Sequence, residues 1–553
     1  MKKRFLASVL AALMIATAFT GCGDSSSSSQ EAGSEGNSAA ETQPVSLTVQ
    51  VGTEPDSIDP ALNTSVDGFI YIEHMFEGLT KLDQDGNIVN GQAEDIQISD
   101  DGLTYTVTLR DDIKWSDGEP VTAQDFVYGW QRVVDPKTGS EYSYMLDPVV
   151  NATDIYTGNN PDVTSLGITA KDDKTLEIKL IAPCAYFLEL LSRPMFYPMR
   201  KDIVDGNDKW TQDPSTYIGN GPYQMKEWNH KESIVAEKSD TYYNKDEVTV
   251  DKITFMLMDD DSAIQAAYQN GELQFADSYP VEEQDTWAAT DDYHNMAQLG
   301  TYYIAFNCEK EPFNDPRVRK ALTLAIDRNY IVNNITKAGQ IPADAFVSTG
   351  VSDADSSKQF RDVGGSYFSV EDADYEQNVE EAKKLLAEAG YPNGEGFPTF
   401  EYSYNTSSGH KAIAEALQNM WKEELGINCT LASQEWAVFI DSRQKGNYEV
   451  ARDGWLADYN DPISYLDLFL TDSGNNNPHW SNQEFDDLIM QAKSTGDQEV
   501  RMQAMHDAED ILMEEMPACP IYFYTDVYLQ KPNISNVVTT PLGDKLFTYA
   551  KVS

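Results

Sequence analysis

Residues 448–462 read YEVARDGWLADYNDP. They set a cation, Arg452, and a carboxylate, Asp458, on either side of Trp455. Val450 and Ala451 give the start of the run the pattern of a buried strand. Burying either charge alone is costly unless a partner neutralises it. A fixed carboxylate can hold an ammonium, and a fixed guanidinium can hold a carboxylate. With Trp455 as an apolar wall, the stretch contains what a site for a zwitterion requires. A mutual salt bridge, or two solvated loop charges, fits the same pattern, and on pattern alone those readings come first. Asp461 is different. Asp461-Pro462 ahead of ISYLDLFL reads as an N-cap followed by proline at the first helical position.

Other chemistry is hard to find. There is no GxSxG elbow, no HExxH, no GxxxxGK[ST] and no GxGxxG after a strand. The six histidines include no i,i+4 pair. Leu82 to Asn87 has the acidic spacing of a weak calcium loop, but its glycine is misplaced and no glutamate stands twelfth. Asp85-Gly86 is more simply a hairpin turn. A glycoside hydrolase needs two carboxylates across a sugar, and with 91 acidic residues such a pair is always available, so the signal is empty. Cys184, Cys308, Cys429 and Cys519 are widely spaced and form no CxxC pair, which leaves a zinc ribbon or redox motif unsupported. They read as small buried hydrophobes, with one long-range disulfide left open.

The elements that must carry residues 448–462 follow from periodicity. VSLTVQVG alternates as a strand from about residue 45. In 101–115, Leu103, Tyr105, Val107 and Leu109 share one face of another. Thr122 with Asp125 forms an acidic capping box for a helix to about Val134. Asp315 and Pro316 open a helix over 315–328, and 378–390 is a helix stopped by Gly390. Residues 410–426 carry Ile413, Leu417, Met420 and Trp421 at helical spacing and end on Gly426. Residues 427–436 then alternate as a strand, and YEVAR is another. This succession predicts an α/β domain over about 300–520.

The chain has 553 residues, which implies two to four domains. Its formal charge is −51, or −54 once Lys2, Lys3 and Arg4 are lost with a leader. Such a surface repels nucleic acid, whose binding needs clustered Lys and Arg. MKKRFLASVLAALMIATAFTGC has a basic start and a short apolar run, the pattern of a secretory signal over 1–21. Small residues before Cys22 resemble the bacterial lipobox, although Phe19 replaces the usual leucine. Residues 22–44 then form a Ser/Gly/Glu-rich tether too polar to fold. Two acyl chains on Cys22 would suit stable anchoring at the outer face of a cell membrane.

Further strings point to a family. Ser57-Ile58-Asp59-Pro60, WSDGEPVTAQDFVYGWQR (115–132), NGPY (220–223), FNDPRVRKAL (313–322), YNTSSGHKAIA (404–414), QEW (434–436) and VARDGWLADYNDP (450–462) occur in one order. Together they resemble the extracellular solute-binding proteins of oligopeptide ABC transporters, solute-binding protein family 5. The resemblance runs from about residue 45 to the end. It implies an α/β, two-lobed periplasmic-binding-protein-like fold with an additional third domain and a hinge of crossover strands. Lobe one would comprise 45–78, 199–299 and 522–553, the extra domain 79–198, and lobe two 300–521. The hinge would lie near Tyr302 and Tyr303 and near Pro520 to Tyr522. It implies a monomeric, lipid-anchored receptor of short peptides, with no cofactor or metal, serving an ABC permease and its ATPase subunits. Asp458 and the Gly454 carbonyl would take the peptide ammonium. Arg452, His410 and Lys310 would take carboxylates, and Trp436, Trp455, Tyr302 and Tyr303 would line the pocket. One position departs: relatives of the enteric type carry a glutamate near the ligand where this chain has Thr64, and Asp67 is the nearest acid.

Overall fold

Alternation in the sequence becomes alternation in burial. In the Thr104–Leu109 strand, Tyr105, Val107 and Leu109 are buried and the threonines between them are not. It is second in a four-stranded antiparallel sheet ordered Ala93–Ile98, Thr104–Leu109, Thr175–Lys179, Ile168–Ala170. Beside that sheet, the Ala123–Val134 helix starts on the Thr122/Asp125 capping box. Both belong to the segment expected as the extra domain. The Thr80–Leu82 and Ile88–Asn90 strands pair as a hairpin, with Asp83 bonding the amides of Asp85 and Asn87 inside its turn.

The computed structural model describes residues 44–184, 186–355 and 357–553. Cys22, the leader and all of the tether except Pro44 lie outside them. Among the described residues, no helix is long and apolar enough to cross a membrane, and Cys184, Cys308, Cys429 and Cys519 are all free thiols.

The spine of the molecule is two long strands, Tyr293–Phe306 and Ala518–Gln530. They pair antiparallel from Tyr293 with Leu529 to Ala305 with Ala518. Register shifts fall between Ala297 and Thr301 and between Tyr302 and Tyr303, where the expected hinge lies. Such irregularities bend a strand and raise its twist. Toward one side the sheet continues through Phe275–Ala276, Ser46–Gln50, Lys252–Met256, Ser233–Lys238 and Tyr223–Asn229. Toward the other side Val450–Leu456 lies antiparallel on Gly300–Phe306, followed by the parallel strands Phe400–Asn405 and Cys429–Gln434. Helices cross between these parallel strands, as parallel pairing requires. The Ser408–Leu425 helix buries Ile413, Leu417 and Trp421 against the sheet and ends at Gly426, whose φ is +70°. The mixed α/β class is as expected.

Three boundaries differ from the sequence reading. The helix expected over 315–328 ends at Leu324, because Asp327 caps a separate turn by accepting from the Tyr330 amide. The helix expected from 378 starts at Tyr375. The YEVAR strand runs on as Val450–Leu456, so Arg452, Gly454 and Trp455 sit on a strand rather than in a loop.

Candidate functional site

The Val450–Leu456 strand builds one wall of a cavity. Its partner Phe400–Asn405 pairs only with Val450 and Ala451, so Arg452 to Leu456 are paired along one edge and open along the other. An open strand edge is a template for an added strand. Facing it is the Val66–Met75 helix, which sets Val66, Phe69, Ile70 and Glu73 on one stripe. The cavity between them measures about 940 Å³, counting its mouth.

Asp458, Gly454, Trp455, Trp436 and Tyr303 all line this cavity, as does Thr64. Asp458 is 8% exposed. Its amide donates to the Ser464 hydroxyl at 2.9 Å, which fixes the backbone, while its carboxylate oxygen Oδ2 has no hydrogen-bond partner among the described residues. Burial pushes the carboxyl up to about 7; Arg193 opposes the rise and Asp544 adds to it. A buried acid with a free oxygen on a cavity wall is poised for a cation. Trp455 stacks 6.1 Å from Tyr142, an aromatic contributed by the segment expected as the extra domain.

Arg452 and Asp458 do not pair with each other, and neither is a solvated loop charge. Arg452 reaches the Tyr524 hydroxyl at 3.2 Å and Asn405 Oδ1 at 3.4 Å, with its guanidinium 5.2 Å from the Tyr302 ring centre. Among the described residues it has no carboxylate partner. His410, on the first turn of the Ser408–Leu425 helix, approaches the Tyr302 hydroxyl through Nδ1 at 3.4 Å. Burial, then the charges of Arg452 and Arg443, hold its imidazole well below the ordinary range, so it is neutral at pH 7. Arg452, His410 and Tyr302 thus form a group outside the cavity lining, with Tyr524 against it. Lys310 is outside both: its ammonium donates to the Tyr448 carbonyl at 2.6 Å. The strand direction explains this, since Lys310 follows the end of Tyr293–Phe306 that pairs with Val450, away from Trp455.

Several wall residues were not anticipated. Arg193 binds Asp544 at 2.5 Å and Glu73 at 3.3 Å, all three buried at the cavity. Burial, then Asp544, raises Glu73 to about 8 against the pull of Arg193. Burial also works against Asp544, but Arg193 and the Thr540 hydroxyl outweigh it and hold that carboxyl low. The acid that reaches the cavity from the Val66–Met75 helix is therefore Glu73, whereas Asp67 does not line it. Arg443 pairs with Asp453 on the wall opposite. Helical spacing from Val66 was the only sequence signal for Glu73; Arg193 and Asp544 are brought in by topology alone. Asp461 stays structural: it accepts from the Ile463 amide at 3.1 Å and grips Arg501 through both oxygens at 2.9 and 3.0 Å. Pro462, rather than Asp461, stands at the cap position of that helix.

Residues 87–477 match the model of the bacterial extracellular solute-binding proteins, family 5 (middle). The oligopeptide-binding protein OppA of Bacillus subtilis is 37% identical over 558 residues, covering 100% of this chain and 99% of that protein. The dipeptide-binding protein DppE of the same organism is 36% identical over 534 residues, 96% of each. In structure, the chain is similar to Haemophilus influenzae OppA in complex with RPPGFSPFR, with a TM-score of 0.86 at 32% identity over 92% of this chain and 99% of that one. The unliganded open form of the murein tripeptide-binding protein MppA, at 34% identity over 92% and 98%, gives only 0.61. The arrangement seen here therefore resembles the peptide-bound form rather than the open one.

Proposed function

The chain belongs to family 5 of the bacterial extracellular solute-binding proteins, receptors rather than enzymes, and from that premise we propose that its solute is a short peptide. Asp458 carries the reading. Its buried carboxylate, with one oxygen unpartnered, faces a cavity beside an open strand edge. An extended peptide would add along Arg452 to Leu456, with its ammonium on Asp458 and the Gly454 carbonyl. Its main chain would hydrogen-bond to the strand, and its side chains would stand against Trp436 and Trp455. Arg452 is the charge for the far carboxylate, with His410 beside it. Lys310, held by Tyr448, has no part in this site.

Cys22 would tether the receptor at the outer face of the cell membrane, and the closed, loaded form would be handed to an ABC permease. Mass spectrometry of the mature N-terminus tests the tether. The peptide reading is tested by calorimetry on the mature chain with tri- to pentapeptides and their N-acetylated forms. Binding in the nanomolar to micromolar range is expected. Acetylation, or Asp458→Asn, should weaken it about 100-fold or more, as removing one member of a buried charge pair does. If acetylated and free peptides bind alike, the ammonium role of Asp458 is wrong; if no peptide binds, the reading falls.

A further inference from the structure

The relatives reported above include a dipeptide binder and an oligopeptide binder at nearly equal identity, so similarity does not set ligand length. The cavity walls bear on it. Arg193 and Arg443 line the cavity, and each is neutralised from within: Arg193 by Asp544 and Glu73, Arg443 by Asp453. Arg452 has no carboxylate partner among the described residues, does not line the cavity and bonds the Tyr524 hydroxyl.

Asp453 does more than pair. One of its carboxylate oxygens accepts from Arg443 and from the Gly454 amide at 2.8 Å; the other accepts from Asn477 at 2.9 Å. Asp453 is 2% exposed. A guanidinium, a main-chain N–H and a side-chain amide converging on one carboxylate are the parts of an anion site. Here that site is filled by the chain itself, on the same cavity wall that holds Asp458.

We propose that Asp453 is a specificity-determining residue that occupies the anion site of Arg443, Asn477 and the Gly454 amide and so rejects the shortest peptides. This rests on the peptide reading above. A dipeptide held at Asp458 stays within the cavity, where its carboxylate meets Asp453 and a cation already neutralised. The pair is net neutral and its donors are already taken, so nothing there offsets the desolvation of the dipeptide carboxylate. A longer peptide can run along the open edge and displace the Tyr524 hydroxyl from Arg452, whose charge is free.

The experiment is calorimetry of the mature chain with dialanine, trialanine, tetra-alanine and penta-alanine. Wild type is expected to bind tetra-alanine at least about 100-fold more tightly than dialanine, the scale set by one buried charge pair. Asp453→Asn keeps the shape and unmasks Arg443, so dialanine should gain tenfold or more while tetra-alanine changes little. The double variant Asp453→Asn/Arg443→Gln leaves neither charge buried alone and should keep the wild-type length profile. Equal binding of dialanine and tetra-alanine by wild type overturns the proposal. So does a folded Asp453→Asn with an unchanged profile, or a double variant that gains dialanine. Should Asp453→Asn not fold, Asp453→Ser, which also unmasks Arg443, is measured in its place, and an unchanged profile there overturns the proposal equally. Loss of all peptide binding in wild type would instead remove the peptide reading itself.

Discussion

At the residue scale, the site is a problem of protonation. In the closed arrangement burial raises Asp458 to about 7, so the closed form without ligand keeps its proton across the acid range and loses it only near neutrality. An arriving ammonium favours the carboxylate, so below pH 7 binding must expel a proton. Affinity for a peptide with neutral side chains should therefore fall as pH drops below about 7, by up to about tenfold per unit for the single proton. Above roughly pH 8 the peptide's own amine discharges and affinity falls again. Calorimetry from pH 5 to 9 should give a bell, while Asp458→Asn should be weak and flat on the acid side. A wild-type profile that is level from 5 to 7 would show that Asp458 is ionised before ligand arrives. The sign for stability is the reverse: from about pH 4, where the unfolded chain ionises, up to about 7, where the folded carboxyl does, burying neutral Asp458 costs the fold more as pH rises. Asp458 and Trp455 were legible because one short string carries both. Arg193 and Asp544 were not, since they are 351 residues apart and meet only once the chain has folded.

At the scale of elements, the helices that were legible have their ends written in caps: Thr122, Asp315, Gly390 and Gly426 all act where the sequence places them. The strand that matters most was under-read. Five residues suggested YEVAR, but pairing with Gly300 to Phe306 extends it to Leu456. Tertiary pairing, rather than propensity, sets that end. Gly454 is the position where this has a consequence. A Cβ there would collide with the Tyr524 hydroxyl and come within 3.2 Å of Arg452 Nη2. Gly454 is thus a close-approach glycine, needed for packing of the two crossover strands against their neighbour. Gly454→Ala is expected to cost about 1–3 kcal/mol in urea unfolding, the range for overpacking. It should weaken peptide binding more than that loss explains, because Tyr524 and Arg452 are displaced together. Wild-type stability in the alanine variant would mean the crossover strands yield freely at this point.

At the scale of the whole molecule, the α/β class was readable from alternating periods and the family strings, but the closed arrangement was not. It depends on contacts between segments far apart in the chain. Lys493, 6% exposed in its side chain, reaches Asp147 at 2.5 Å and Asp467 at 2.9 Å. Gln444 donates to Glu141 at 2.5 Å, and the Ser408 amide to Asp261 at 2.9 Å. Asp147 and Glu141 belong to the segment expected as the extra domain, Asp261 to lobe one, and their partners to lobe two. If the lobes part without ligand, these bonds exist only when closed. Asp147→Asn is the discriminating change. It keeps the contacts with Thr153 and Tyr156 and leaves Lys493 its own-lobe partner Asp467. No residue that would touch peptide is altered. The variant should therefore favour the open state: peptide affinity down about tenfold, within the range of coupling for close charge pairs across an interface. Small-angle scattering of the empty variant should give a radius of gyration at or above that of empty wild type, and saturating peptide should bring both to one compact value. Equal affinity and equal scattering in variant and wild type would make the Lys493 pair a static brace between segments that do not separate.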